Sequence, residues 1–288
     1  MNRKELEAVV TELEEFEKAN NHDGTKHIDS PDGDIRREYA FHIGSILDHC
    51  HALGFNPWPK IKPFFDTYSI SVLPEYPAFE KMVVLARNSA KKAEASKPIS
   101  DSQLFQIFDL TRQLLRVAQV IEAQIPYPED PRQKEWQAKR AQKESPSRPD
   151  KPREPFDRPN LPIQSREDIE NALKEMYYFT RDTVSKTGEM VDIGYDISHF
   201  GMASSFLGYL PHPELAKMWR DVSLEDLPDE REVYVEMLNK VYRLYVEVRD
   251  AGAATSNQVF RMYRLTWRMR TFGKECGVRL RSIVKALN

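Results

Sequence analysis

Apolar residues recur along most of the chain at the three- and four-residue spacing of an amphipathic α-helix. Such stripes begin near residues 2, 35, 77, 100, 165, 233 and 256. Helix-capping pairs stand at three of these starts, namely Asn2 with Glu5, Ser100 with Gln103, and Ser165 with Asp168. The alternation of a half-buried strand is nearly absent, and 68–73 is the one plausible strand. The pattern therefore predicts a mostly α fold.

Prolines divide this helical pattern. Nine of the nineteen prolines fall between Pro126 and Pro162, in a stretch crowded with charges of both signs and nearly devoid of aliphatic residues. Such a stretch buries too little apolar surface to offset the entropy lost on ordering. We therefore expect helical bundle-like halves at 1–125 and 165–288, joined by a Pro-rich charged linker or excursion at 126–164. No fixed-length repeat is visible, and the halves could share one core.

Glycines mark two places where we expect helices to be imperfect. Between Met190 and Leu210 the chain is rich in Gly, Ser and aromatic residues, and Gly194 and Gly201 argue against a regular helix around His199. The last helix, from Ser256, is predicted to be interrupted or bent near residues 273 and 277. The part of the first stretch from Gly194 to Leu210 is also a candidate lining for a cofactor pocket, although no particular cofactor is indicated.

Composition narrows the function classes. Forty-two basic residues against forty-five acidic ones leave a net charge of -3, so the average charge gives no reason to expect a generally nucleic-acid-binding or membrane-binding protein. Cys50 and Cys276 are too few for a disulfide framework, which indicates a reducing compartment. No apolar run reaches the length of a membrane span and no signal-peptide core follows Met1, so a cytoplasmic location is expected.

Charge is unevenly distributed, and the C-terminal segment is the strongest functional lead. Residues 257–288 carry eight basic residues and one acidic residue, a local charge of +7 against -10 in the rest of the chain. Helical spacing predicts a basic stripe beside an aromatic stripe, a combination that suits a phosphate backbone with stackable bases. An acidic protein partner, a membrane surface, or the acidic N-terminal segment of the chain itself would also suit it. The candidate binding residues are Arg261, Arg264, Trp267, Arg268, Arg270 and Lys274.

A second lead is a pair of Asp-x-x-His motifs, Asp48 with His51 and Asp196 with His199, one in each half. On a helix this spacing puts carboxylate and imidazole on one face, and two such pairs resemble part of the ligand set of carboxylate-bridged di-metal bundles. The expected frequency of acid-x-x-His by chance is about one such pair for this composition, which weakens the signal.

Arg37 and His42 also resemble the short Arg-x4-6-His signature of HEPN-type helical ribonucleases. The resemblance covers six residues. It implies that arginine and histidine from two protomers cleave RNA together, with the histidine titrating near neutral pH. Glu38 departs from the family at the polar position after the arginine, and only one predicted helix precedes the motif.

Phosphate-binding glycine loops, hydrolase elbows and finger-like zinc spacings are missing from the sequence. We therefore expect a non-enzymatic interaction protein that binds an acidic protein or nucleic acid through its C-terminal helix. The alternative is a helical metal- or cofactor-dependent enzyme with an Asp-x-x-His site between the halves, so whether the chain is an enzyme is left open. The oligomeric state is open as well.

Overall fold

Helices account for nearly all regular structure in the computed structural model, which describes residues 1–20, 31–96, 98–126, 156–183, 186, 188–210 and 222–287. No β-strand occurs in these ranges, so the predicted mostly α fold class is confirmed. The chain divides into two compact units, 1–147 and 148–288. Residues 127–155 of the predicted linker lie outside the described part of the chain.

Unit 1 is built from four long helices, each with the amphipathic pattern seen in the sequence. Two short elements, α3 and a 3₁₀ turn, lie in the connection between the second and third long helices. The 3₁₀ turn, Ile70–Val72, replaces the predicted strand, because Ser69 caps it with a side-chain hydrogen bond to the backbone of Ser71. The helices are α1 Arg3–Asn20, α2 Pro31–Ala52, α3 Lys62–Phe65, α4 Tyr76–Ala95 and α5 Asp101–Glu122.

The long helices of unit 1 form a ring in which α1 and α5 each pack against both α2 and α4. Two ion pairs show that α1 and α4 run parallel: the Met1 amine lies 2.6 Å from Glu80, and Lys91 lies 2.8 Å from Glu12. The chain must therefore cross one end of the bundle between α2 and α4. That crossing is the aromatic, proline-rich segment that contains α3.

Unit 2 has the same plan. Its long helices are α6 Arg166–Thr183, α7 Glu189–Ser205, α8 Pro228–Ala251 and α9 Ser256–Leu287, with a 3₁₀ turn at Leu224–Asp226 before α8. Helices α6 and α9 each pack against both α7 and α8, which reproduces the ring of unit 1. Each unit thus has two adjacent helix pairs, a long crossing connection, and a short connection before its last helix.

The glycines of unit 2 do not break its helices, so the expected irregularity around His199 and the expected interruption of the last helix were wrong. Helix α7 is continuous around His199, and α9 is one helix through Gly273 and Gly277. Gly194 instead allows α6 to approach, because a Cβ there would lie 2.2 Å from the Thr183 hydroxyl. Close packing between helices, which a single sequence pattern does not reveal, offsets the low helix propensity of glycine.

The end of the second long helix is the most similar feature of the two units. Leu53-Gly54-Phe55-Asn56 and Leu207-Gly208-Tyr209-Leu210 occupy matching places, and the glycines have φ of +91° and +88°. A proline follows each segment in the sequence. The residue before each proline also has positive φ, 46° in both cases. This conformation is uncommon outside glycine, so its occurrence at both sites shows that the two chain reversals have the same backbone path.

An arginine at the start of the first long helix fixes each of these reversals. Arg3 donates to the Gly54 carbonyl at 2.9 Å, and Arg166 donates to the Gly208 carbonyl at 3.0 Å. Each arginine also pairs through Nε with the glutamate four residues later on its helix. The two units are therefore structural repeats of one four-helix plan, although the sequence showed no regular repeat.

The last residues of the predicted linker, 156–164, pack on unit 2. Ile163 is buried, and its backbone exchanges two hydrogen bonds with the Asn239 side chain on α8. The Phe156 ring stacks on Tyr178 of α6 at a centroid distance of 5.7 Å. The packed part of unit 2 therefore begins before the first turn of α6.

Candidate anion-binding face

Helix α9 is amphipathic, and its burial pattern shows which of the predicted binding residues reach solvent. Its inward face packs against α7 and α8 and consists of Val259, Met262, Thr266, Met269, Cys276 and Leu280. Of the predicted residues, Arg261, Arg268, Arg270 and Lys274 are exposed, whereas Arg264 and Trp267 are half-buried. Helical spacing places Arg261 and Arg268 on the α8 side of this face, and Arg270 and Lys274 on the α7 side.

The rings of α9 are covered to different extents. Phe260 is buried, and Tyr263 and Trp267 are half-buried with their ring centroids 6.1 Å apart. The predicted aromatic stripe therefore exists, and part of the Tyr263 and Trp267 side chains reaches solvent. Whether Trp267 takes part in binding stays a prediction.

Two of the exposed cations of α9 pair with carboxylates in the described part of the chain. Arg279 pairs with Glu230, and Arg261 lies 3.8 Å from Glu247, both across the α8–α9 contact. Exposed pairs of this kind contribute little to stability. Within the described residues no carboxylate pairs with Arg268, Arg270, Lys274 or Arg281.

Helix α5, the counterpart of α9 in unit 1, shows what this position in the fold requires. Both helices start with reciprocal capping bonds, Ser100 with Gln103 and Thr255 with Gln258, which sets their residues in register. Counting from these caps, the exposed cations Arg261, Arg268 and Lys274 correspond to Gln106, Gln113 and Gln119, which are exposed as well. The fold therefore accepts neutral side chains where α9 carries charge.

A second exposed feature, which the sequence did not predict, is an apolar ridge along α7. Tyr195, Met202 and Phe206 are 64%, 54% and 45% exposed, and they recur at helical spacing on one face. The half-buried His199 lies on the same side, its ring centroid 4.1 Å from that of Tyr195 and its Nδ1 2.9 Å from the Tyr195 carbonyl. The i, i+4, i+7, i+11 spacing was readable in the sequence, but nothing there indicated that this face is outward.

The predicted metal-binding pairs lie in different units and differ in their surroundings. Asp48 is exposed on α2, and His51 Nε2 lies 2.9 Å from Glu14 Oε1 on α1. In unit 2 Asp196 is buried, whereas His199 contacts Tyr195 as described above. Among the described residues no three His, Cys, Asp or Glu side chains are close enough together to hold a metal ion. The metal site stays a hypothesis.

The HEPN-like residues lie on α2. Arg37 is half-buried, but His42 is only 4% exposed and its ring meets Phe108 edge-on at a centroid distance of 5.6 Å. Burial lowers the pKa of His42 from its ordinary value to about 3. The buried His42 imidazole, neutral at physiological pH, packs in the α2–α5 contact, and this differs from the expectation of a histidine that titrates near neutral pH.

This pKa predicts a pH dependence of stability. Unfolded His42 binds a proton near pH 6.5 and folded His42 does not, so the free energy of unfolding falls as pH decreases below that value. Between pH 7.5 and 5, wild-type protein should lose about 2 kcal/mol more than His42→Leu, which cannot titrate. Urea unfolding at both pH values measures the difference. Equal losses in the two proteins would contradict a neutral buried His42.

None of the helices in the described residues is both long enough and apolar enough to cross a membrane. No family model matches the chain, and neither the curated proteins nor the solved structures gave a significant match.

Proposed function

We propose that the chain is a non-enzymatic interaction protein that binds an acidic partner, with nucleic acid as the leading class, through the exposed cations of α9. The observation that carries this proposal is the comparison of α9 with α5. The two helices hold the same position in the fold, but α9 has cations at three exposed sites where α5 has glutamine. The fold does not need these charges, so they are available for binding a partner. Arginine is well suited to this role because its planar guanidinium matches phosphate and carboxylate oxygens.

The local distribution of charge reconciles this proposal with the net charge of -3. A partner at the α9 surface responds to charges within about one Debye length, roughly 8–10 Å in physiological salt, and not to the whole chain. The cations lie on both flanks of one helix, so a polyanion can meet several of them together. Binding should therefore weaken steeply with added salt.

The triple variant Arg261→Gln, Arg268→Gln, Lys274→Gln tests the proposal, because each new residue is the one that α5 uses at the same position. At low salt we expect its affinity for a fluorescent 20-nucleotide oligonucleotide to fall by about tenfold or more, with a shallower salt dependence. Its stability should change by less than about 0.5 kcal/mol per site, since these side chains are exposed.

A matched control removes the same charge from unit 1. Lys4, Lys81 and Lys92 are exposed on α1 and α4, and replacing all three with glutamine lowers the net charge equally. Affinity should then change by less than about twofold. If both triple variants lost affinity to the same extent, binding would depend on net charge alone and the role of α9 would be refuted.

A further inference from the structure

Exposed rings of α7 and exposed cations of α9 lie along one seam of unit 2. The two helices run parallel, with the Thr266 hydroxyl 3.1 Å from the Asp196 carbonyl and Gly273 against Ala203. Along α7, His199 lies between the contact residues Asp196 and Ala203. Along α9, Arg270 lies between their partners Thr266 and Gly273. Parallel packing in constant register therefore brings His199 and Arg270 to the same level of the seam.

The outward side of this seam combines two kinds of chemistry. The rings of Tyr195 on α7 and of Phe206, the residue that follows α7, are exposed, and the Tyr195 ring packs against that of His199. On α9, Arg270 and Lys274 share a face by their four-residue spacing, and both are exposed. A Cβ at Gly273 would lie 3.9 Å from the Ala203 Cβ, so the two helices are in contact at this level of the seam.

Unit 1 lacks this combination at the equivalent seam between α2 and α5. Phe41, which matches Tyr195, is 46% exposed, but Ser45 and Asp48 stand where unit 2 has His199 and Met202. Leu115 and Gln119 stand where α9 has its two cations. The aromatic and basic seam is therefore a property of unit 2 and not of the shared fold.

We infer that the α7–α9 seam is a binding site for single-stranded nucleic acid, an inference that rests on the proposed function and names its ligand. Arg270 and Lys274 neutralise backbone phosphates, while Tyr195 and Phe206 stack on unpaired bases. A duplex offers the same phosphates but hides the faces of its bases, so it engages only the cationic row. An acidic protein lacks bases altogether.

The test compares three probes on the full chain: a 20-nucleotide single strand of mixed sequence, the same sequence as a duplex, and inorganic polyphosphate. We expect the single strand to bind at least fivefold more tightly than the duplex. The double variant Tyr195→Ala, Phe206→Ala should lower single-strand affinity about tenfold and leave polyphosphate affinity unchanged. Phe41→Ala, the equivalent change in unit 1, should have no effect on either.

The outcomes separate this inference from the proposed function. If the ring variant binds the single strand as wild type does while Arg270→Gln, Lys274→Gln weakens all three probes, the stacking site is overturned and the cationic surface stands. Equal affinity for single strand and duplex also overturns the stacking site. If none of the three probes binds, the single-strand site is overturned and nucleic acid is removed from the proposed function. The remaining proposal, that α9 binds an acidic protein, would still be supported if Arg270→Gln, Lys274→Gln abolished the binding of such a protein.

Discussion

Replacing Gly54 with alanine is expected to destabilise the protein by about 3 kcal/mol, one of the two largest effects predicted from this structure. Gly54 has φ of +91°, and a Cβ at this position would lie 2.4 Å from the Phe65 ring. The left-handed backbone costs an alanine about 1–2 kcal/mol, and displacing a buried ring adds a further 1–3 kcal/mol. Urea unfolding followed by circular dichroism measures the loss.

Two further glycines make this prediction specific. Gly208→Ala should be similarly costly, since its Cβ would lie 2.8 Å from the Ser223 Cβ and its φ is +88°. Gly252 also has positive φ, +64°, but open space surrounds it, so Gly252→Ala should cost only about 1 kcal/mol. If all three variants lost the same stability, the close packing at the two chain reversals would not matter and the expectation would be wrong.

The sequence predicted what depends on neighbours along the chain. The reciprocal bonds of Ser100 with Gln103 and of Asn2 with Glu5 form as the capping pattern indicated, because both partners lie within one turn. The stripe of α1 is buried as its spacing required. For the same reason the mostly α fold class could be predicted with little more than the period of the apolar positions.

Features that depend on distant residues could not be predicted in this way. Helical spacing located the aromatic stripe of α9, but the spacing does not reveal that Phe260 is buried while Tyr263 and Trp267 are half-buried. The exposed rings of the candidate site come instead from α7, where Gly194 had suggested irregular structure. Gly194 is accommodated in α7 because Thr183 of α6 packs against it. That contact depends on another helix and so could not be predicted from the local sequence.

The structural repeat was hidden for a related reason. The helices of the two units match in their buried positions, yet the residues there are different apolar types, such as Leu13 on α1 and Met176 on α6. Burial selects for apolar character and volume and not for identity. The reversal after the second long helix does restrict residue type, because positive φ selects glycine, and the two sequences resemble each other there.

The same repeat gives a matched pair for the other large expected effect, the replacement of Glu175. Its side chain is 10% exposed and accepts hydrogen bonds from Tyr242 at 2.5 Å, Tyr245 at 3.2 Å and Arg249 at 2.5 Å. Burial raises the pKa of Tyr245 to about 12 and raises that of Tyr242 as well, so both phenols remain protonated donors. The carboxylate thus joins α6 to α8 through three donors.

Glu175→Ala should lower the free energy of unfolding by about 2–4 kcal/mol, because it leaves two phenols without their acceptor, whereas Arg249 keeps its pair with Asp250. Glu12 is the equivalent of Glu175 in unit 1, since it precedes buried Leu13 on α1 as Glu175 precedes Met176 on α6. Glu12 pairs with Lys91, but the two side chains are 42% and 58% exposed, respectively. Glu12→Ala should therefore cost less than about 1 kcal/mol. Equal costs, measured by urea unfolding, would contradict the argument that burial, and not the presence of an ion pair, makes this carboxylate important for the stability of unit 2.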